Sequence, residues 1–125
     1  MMARAVVGVL LLAAAGCGGG APAQAIVGAT LMDGTPDPPV ADAVVVVRHG
    51  RIAALGPRAA TPVPEGAARI AGEGRFVFPL EPDKPLVRGG PADLLLLAVN
   101  PAADPDYESK VVGRMVNGLW VKFPR

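Results

Sequence analysis

The chain holds one cysteine (Cys17), one histidine (His49) and one serine (Ser109). A single cysteine excludes an internal disulfide. A single histidine excludes the His-rich ligand sets of a catalytic zinc, which takes about three protein ligands and keeps a position open for water. Nucleophilic catalysis needs a serine or cysteine beside a base, and neither Ser109 nor Cys17 has a plausible base partner. Aromatic residues are also scarce, at 4% against 51% hydrophobic residues overall. The core must therefore be filled by Val, Leu, Ala and Ile, which points to sheet packing without large anchors. The net charge is +1 and the basic residues are scattered, which excludes the clustered basic face that nucleic-acid binding calls for. Apolar runs long enough to span a bilayer, about 20 residues, are missing too. At 125 residues one domain is expected.

Valine runs and turn residues are plentiful. In 42–56 four consecutive valines, Val44 to Val47, are stiff at χ1 and suit a pleated strand; a run of this length calls for burial on both faces. His49-Gly50 follows, placed where a two-residue type I′ turn needs positive φ twice, and a second strand returns to Gly56. The 16 glycines and 14 prolines fall between apolar runs and act as turn punctuation.

The first strand runs from Ile26 to Met32 and ends at Asp33-Gly34. A Pro-rich loop reaches Pro39, and 57–66 is a second irregular connection. Ala68 to Ala71 and Arg75 to Phe78 are short strands around Gly72-Glu73-Gly74, whose glycines permit a tight reversal or a bulge. Asp93 to Val99 carries four leucines; its shortness, with Gly90-Pro91 and Asn100-Pro101 beside it, favours a buried strand over a helix. A short helical turn is expected within 102–110. Val111 to Val116, Asn117-Gly118 and Leu119 to Phe123 read as a second hairpin. In its last strand Leu119, Val121 and Phe123 alternate with Trp120 and Lys122, which predicts one buried face and one partly wet face.

The N-terminus reads as an export signal over residues 1–17, with a short positive start, an apolar run from Ala5 to Ala15, and Ala14-Ala15-Gly16-Cys17, which resembles a bacterial lipobox with Cys17 as the acylated residue. Residues 18–25 serve as a flexible tether. The expected location is a bacterial membrane, held by the lipid; small-residue cleavage near Ala23 or Ala25 would instead give a periplasmic or secreted product.

Ile26-Val-Gly-Ala-Thr-Leu-Met-Asp-Gly34, Ala43 to Val47, His49 to Gly56, and Gly74-Arg-Phe-Val-Phe-Pro79 together resemble the opening of amidohydrolase-superfamily enzymes, one half of a small β-sandwich beside a catalytic barrel. Gly90-Pro-Ala-Asp-Leu-Leu-Leu-Leu-Ala-Val-Asn-Pro101 resembles the segment that returns from the barrel. The family's P-G-L-x-D-x-H-x-H entry to the barrel is absent after Pro79, and a (β/α)₈ barrel needs about 250 residues. The resemblance implies an all-β fold, a small β-sandwich over 26–123 whose halves, 26–79 and 89–123, join through a short junction at 80–88. It also implies a family activity of hydrolysing carbon–nitrogen bonds other than peptide bonds. The family's divalent metal has no ligands here, so the chain alone is expected to be inactive, with no catalytic, cofactor-binding or metal residues and with Cys17 as its one modification site.

Other candidates read blandly. His49 is explained by its turn. Asp93 matches the family's structural strand start. Asp104, Asp106 and Glu108 lack the Gly and bidentate Glu of a calcium loop and read as a solvated polar loop. Gly18 to Gly20 and Gly89-Gly90 lack the Lys-Ser/Thr ending of a phosphate loop. Expected partners are the membrane, through the anchor, and either a barrel carried by another chain or a second copy of the domain. Three classes remain open: a truncated amidohydrolase-like protein, a lipid-anchored binding or structural module, and the remnant of a disrupted gene.

Overall fold

The structure, a computed structural model, describes residues 22–124. The strands are β1 (Gln24–Leu31), β2 (Val40–Arg48), β3 (Arg51–Pro57), β4 (Ala68–Ala71), β5 (Phe76–Pro79), β6 (Leu94–Leu97), β7 (Val111–Val116) and β8 (Leu119–Lys122). The only helical elements among the described residues are two short 3₁₀ turns, Arg58–Ala60 and Tyr107–Lys110. The chain is therefore all-β, as its composition and valine runs indicate.

The strands form one mixed sheet in the order β3-β2-β1-β5-β6-β7-β8, with β4 also paired to β1. β1 shares one edge between two partners. Gln24 to Val27 run parallel to Ala68 to Ala71 of β4, and Thr30 and Leu31 run parallel to Phe76 and Val77 of β5. The glycines at 72–74 therefore make an offset in a continuing strand direction and not the reversal that their spacing also permits. Gly72 donates its N–H to Val27 O at 2.8 Å. A Cβ on Gly72 would lie 2.8 Å from the Ala29 N and Cβ, so the close approach of the two backbones needs the missing side chain.

The sheet folds over a shared core. Ile26, Leu31, Val45, Val47, Ile52, Val77, Leu94, Leu96 and Met115 form one buried cluster drawn from both halves. Burying each such side chain is worth about 1.5–3 kcal/mol. The valine run is buried on both faces, as expected: Val45 and Val47 enter the shared core, while Val44 and Val46 join Ala25 and Val27 beneath Val63 and Ala67 of the Pro-rich connection. The leucine run behaves in the same way. Leu94 and Leu96 face inward, whereas Leu95 and Leu97 pack with Val111, Phe76, Phe78 and Tyr107 on the other side, and Phe78 and Tyr107 meet edge to face at 5.5 Å.

Both hairpins form with the predicted turns. His49 and Gly50 have φ of 51° and 77°, and Asn117 and Gly118 have 49° and 80°. The tips touch: a Cβ on Gly118 would lie 2.7 Å from Gly50 Cα, and one on Gly50 would lie 2.8 Å from Asn117 O. The predicted buried face of β8 reduces to Trp120, since Leu119, Val121 and Lys122 are all exposed and the register slips between Trp120 and Lys122. Leu119, Val121 and Phe123 are 72%, 62% and 67% exposed, while Trp120 packs against the shared core opposite the fully buried Met115. Size and hydrogen bonding select this residue. The indole covers Gly113, where a Cβ would meet the ring at 3.0 Å, and its N–H donates to Gln24 Oε1 at 2.8 Å. The largest side chain takes the inner face and its neighbours face outward.

Gly50→Val and Gly118→Val combine a β-branched residue at positive φ with a backbone clash, so each should cost about 2 kcal/mol or more. His49→Gly relieves a positive φ at an exposed site and should change stability much less. Urea midpoints of the three variants check this order.

Candidate functional site

The place where the resemblance puts the barrel insertion is the junction after β5. Here the chain does not stray from the sheet. Leu80 N–H donates to Asp93 O at 3.1 Å, Leu86 N–H to Asp33 O at 2.8 Å, and Ala92 N–H to Gly50 O at 2.9 Å. Ile52 exchanges bonds with the junction, donating to Gly90 O at 2.9 Å and accepting from Gly89 N–H at 2.7 Å. Arg51 Nη1 donates to Gly89 O at 2.9 Å and Arg88 Nε to Ala53 O at 3.1 Å. These bonds cover the outer edge of β3 near its start, where β3 has no further strand as a neighbour. Leu86 and Ala92 belong to the shared core. Glu81, Lys84, Pro85, Leu86, Pro91 and Asp93 line a shallow cleft of ≈ 160 Å³ at this junction.

The titratable residues are engaged in holding loops. Asp93 Oδ1 accepts the Asn117 N–H at 2.6 Å, so this carboxylate supports the second hairpin turn. Asp33 Oδ1 accepts from Thr35 N–H at 2.9 Å and Thr35 Oγ1 at 2.6 Å. Asp42 Oδ1 accepts from both Nε and Nη2 of Arg58, at 3.0 and 2.6 Å, which ties the start of β2 to the turn after β3. The Arg58 guanidinium is correspondingly raised above its ordinary value, first by that hydrogen bond and then by the Asp42 charge. His49 is an exposed turn residue. Among the described residues no group of three or more His, Cys, Asp or Glu side chains is placed to hold a metal ion. These residues therefore do not assemble the donor set that the divalent metal of the resembled enzymes would need.

The acidic loop is equally occupied. Asp104 Oδ1 accepts the Asp106 N–H at 2.8 Å and Oδ2 accepts Lys110 Nζ at 2.9 Å. Asp106 Oδ2 accepts the Ser109 hydroxyl at 2.7 Å. The three carboxyl groups read from sequence as a polar loop therefore do not converge on one point; two of them brace the Tyr107–Lys110 turn. Lys110 holds the Asp104 carboxyl below its ordinary value, chiefly through the hydrogen bond, and is itself raised by the same contact.

Cys17 and the signal and tether residues up to 21 lie outside the described residues. The tether's last residues do not: Gln24 and Ala25 are part of β1. Gln24 Nε2 donates to Gly118 O at 2.8 Å and its Oε1 accepts from Trp120, so the chain enters the fold directly beside β8. Two features escaped sequence reasoning. One is this Gln24 bridge, whose partners lie 94 and 96 positions away and leave no local signal. The other is the outward turn of Leu119 and Val121 on β8, which Trp120 fixes through its contacts with Gly113 and Gln24.

No protein-family model and no curated protein matches the chain. Among solved structures the chain is similar to a phenylurea hydrolase B, with 40% identity and a TM-score of 0.43 over 46% of this chain and 12% of that one. It is similar over the same share to a molinate hydrolase, with 33% identity and a TM-score of 0.42 over 12% of that chain, and to a D-hydantoinase, with 26% identity and a TM-score of 0.37 over 11% of that chain. These structural neighbours are hydrolases of the amidohydrolase superfamily. The chain thus matches only a small part of the length of each.

The Asp104 carboxyl should titrate below the ordinary aspartate range, and Lys110→Met should move it back up. Because its folded value is depressed, its contribution to stability is present above the unfolded pKa and is lost as pH falls through the folded one. Carboxyl-carbon NMR across the acid range, with and without the substitution, measures both values.

Proposed function

We propose that this chain is an exported, lipid-anchored domain of the amidohydrolase composite type, folded without a barrel and without catalysis of its own. The observation that carries the reading is the continuity of the core across the join. β5 and β6 pair antiparallel from Phe76↔Leu97 to Pro79↔Leu94, and the shared cluster draws on strands before and after the junction. In the resembled enzymes the strands on either side of the barrel insertion already meet in one sandwich, so a short link in place of a long excursion lowers the closure entropy and leaves the fold intact.

Hydrolysis of carbon–nitrogen bonds other than peptide bonds enters the proposal only as the activity of a barrel on another chain. Among the described residues His49 serves its turn, Asp104 braces its own loop and Asp93 the second hairpin turn, so none of them is left as a metal ligand for it. Lipidation at Cys17 adds buried methylenes worth about 0.8 kcal/mol each, enough for a diacylglyceryl group to retain a small domain on a membrane.

Residues 18–125 should fold, bind no stoichiometric zinc, iron or manganese, and leave amide, lactam and carbamate substrates unhydrolysed. One tightly held metal per chain, or turnover that survives His49→Ala, overturns the non-catalytic reading. In cells, Cys17→Ala should move the protein from the membrane to the soluble fraction; equal partitioning of the two forms overturns the anchor.

A further inference from the structure

Among the exposed residues Leu119, Val121 and Phe123 stand out, three large apolar side chains at the edge of the sheet, two on β8 and the third just past its end. Lysine on an edge strand commonly repels wrong partners, but Lys122 Nζ donates to Val111 O at 2.7 Å and is folded back on its own chain. We propose that this stripe is a lipid-contact surface, laid on an anionic bilayer beside the anchor. The proposal rests on the reading of Cys17 as the lipidated residue, and two further observations choose lipid over other occupants.

The first is where the chain enters. Gln24 is hydrogen-bonded to Gly118 and Trp120, at the beginning of β8. The seven residues from Gly18 to Gln24 span at most about 25 Å when fully extended. A lipid on Cys17 therefore holds the side of the fold where the two hairpin tips meet, and with it the beginning of β8, within that distance of the bilayer. Close tethering raises the local concentration of lipid at the stripe, so a contact too weak to bind alone becomes occupied.

The second is charge. Phe123 lines a cavity of ≈ 330 Å³ together with Arg69 and Arg75, and Arg114, exposed on β7, lies on the same side of the second hairpin as Val116 and Leu119 by the period of two. The acid in that cavity, Glu73, is 3.6 Å from Arg58 and partly neutralised by it. An apolar stripe with arginines at its border matches the boundary between acyl chains and anionic headgroups, where apolar burial and electrostatic attraction add.

All of the described strands lie within residues 24–122, so residues 18–125 without acylation carry them and isolate the stripe from the anchor. In co-sedimentation this protein should bind vesicles of phosphatidylglycerol and phosphatidylethanolamine better than vesicles of phosphatidylcholine. Leu119→Ser, Val121→Ser and Phe123→Ser combined should weaken binding by about tenfold or more, and Arg69→Gln with Arg114→Gln should remove the preference for anionic lipid. Trp120, the one tryptophan, lies 5.9 Å from the Phe123 ring and should be quenched by brominated acyl chains. Circular dichroism and urea midpoints confirm that each variant folds. Failure to bind any vesicle, or binding unchanged by the three serines, overturns the proposal, as does a dimer in sedimentation that the serines dissolve. Failure of the Cys17→Ala fractionation alone removes the anchor and leaves the vesicle result standing on its own.

Discussion

The fold depends on β1 having two partners along one edge. Its first half is parallel to β4 and its second half to β5, with register shifts at Val27/Ala29 and Ala29/Leu31. A single straight strand cannot serve both, so β1 carries the irregularities, with Gly28 at a φ of 92° in the first of them, and Gly72 to Gly74 supply the matching offset opposite. This divided edge turns the sheet so that β2 and β3 face β6 and β7 across one core. The closeness of Gly72 to Ala29 follows from it, as does the parallel course of β4 and β5, which a simple hairpin between them would have forbidden.

Burial on both faces is what the sequence conveyed most directly. Val44 to Val47 and Leu94 to Leu97 are unbroken apolar runs, and each divides into alternate residues for the shared core and for a covering loop. The His49-Gly50 and Asn117-Gly118 turns were equally readable, because positive φ selects so few residues. Legibility ended where the answer depended on a partner far along the chain. Gly72-Glu73-Gly74 is compatible with a reversal or an offset, and only β1 decides between them. In 119–123 the one inward position is fixed by Trp120 against Gly113 and Gln24, contacts that no local pattern encodes.

At the candidate site the geometry places His49 in a turn, Asp93 as a brace for the second hairpin, and Asp104 and Asp106 beside a 3₁₀ turn. The chemistry of this chain lies instead in how its surfaces are arranged. The junction covers one sheet edge near Ile52 with backbone and arginine hydrogen bonds, while the other end, at β8, presents apolar side chains. The two ends of the sheet are thus unequal, one turned to its own chain and one turned outward.

Gln24 has a consequence for the order in which the molecule assembles. Its partners Gly118 and Trp120 lie 94 and 96 positions further along, so the first strand cannot complete its bonding until nearly the last residue has been synthesised. Contacts of such sequence separation pay their loop entropy before they return any energy, which slows folding. The backbone pairing of β1 with β2, β4 and β5 can form before β8 exists, and the Gln24 bridge joins only when the second hairpin tip reaches the first.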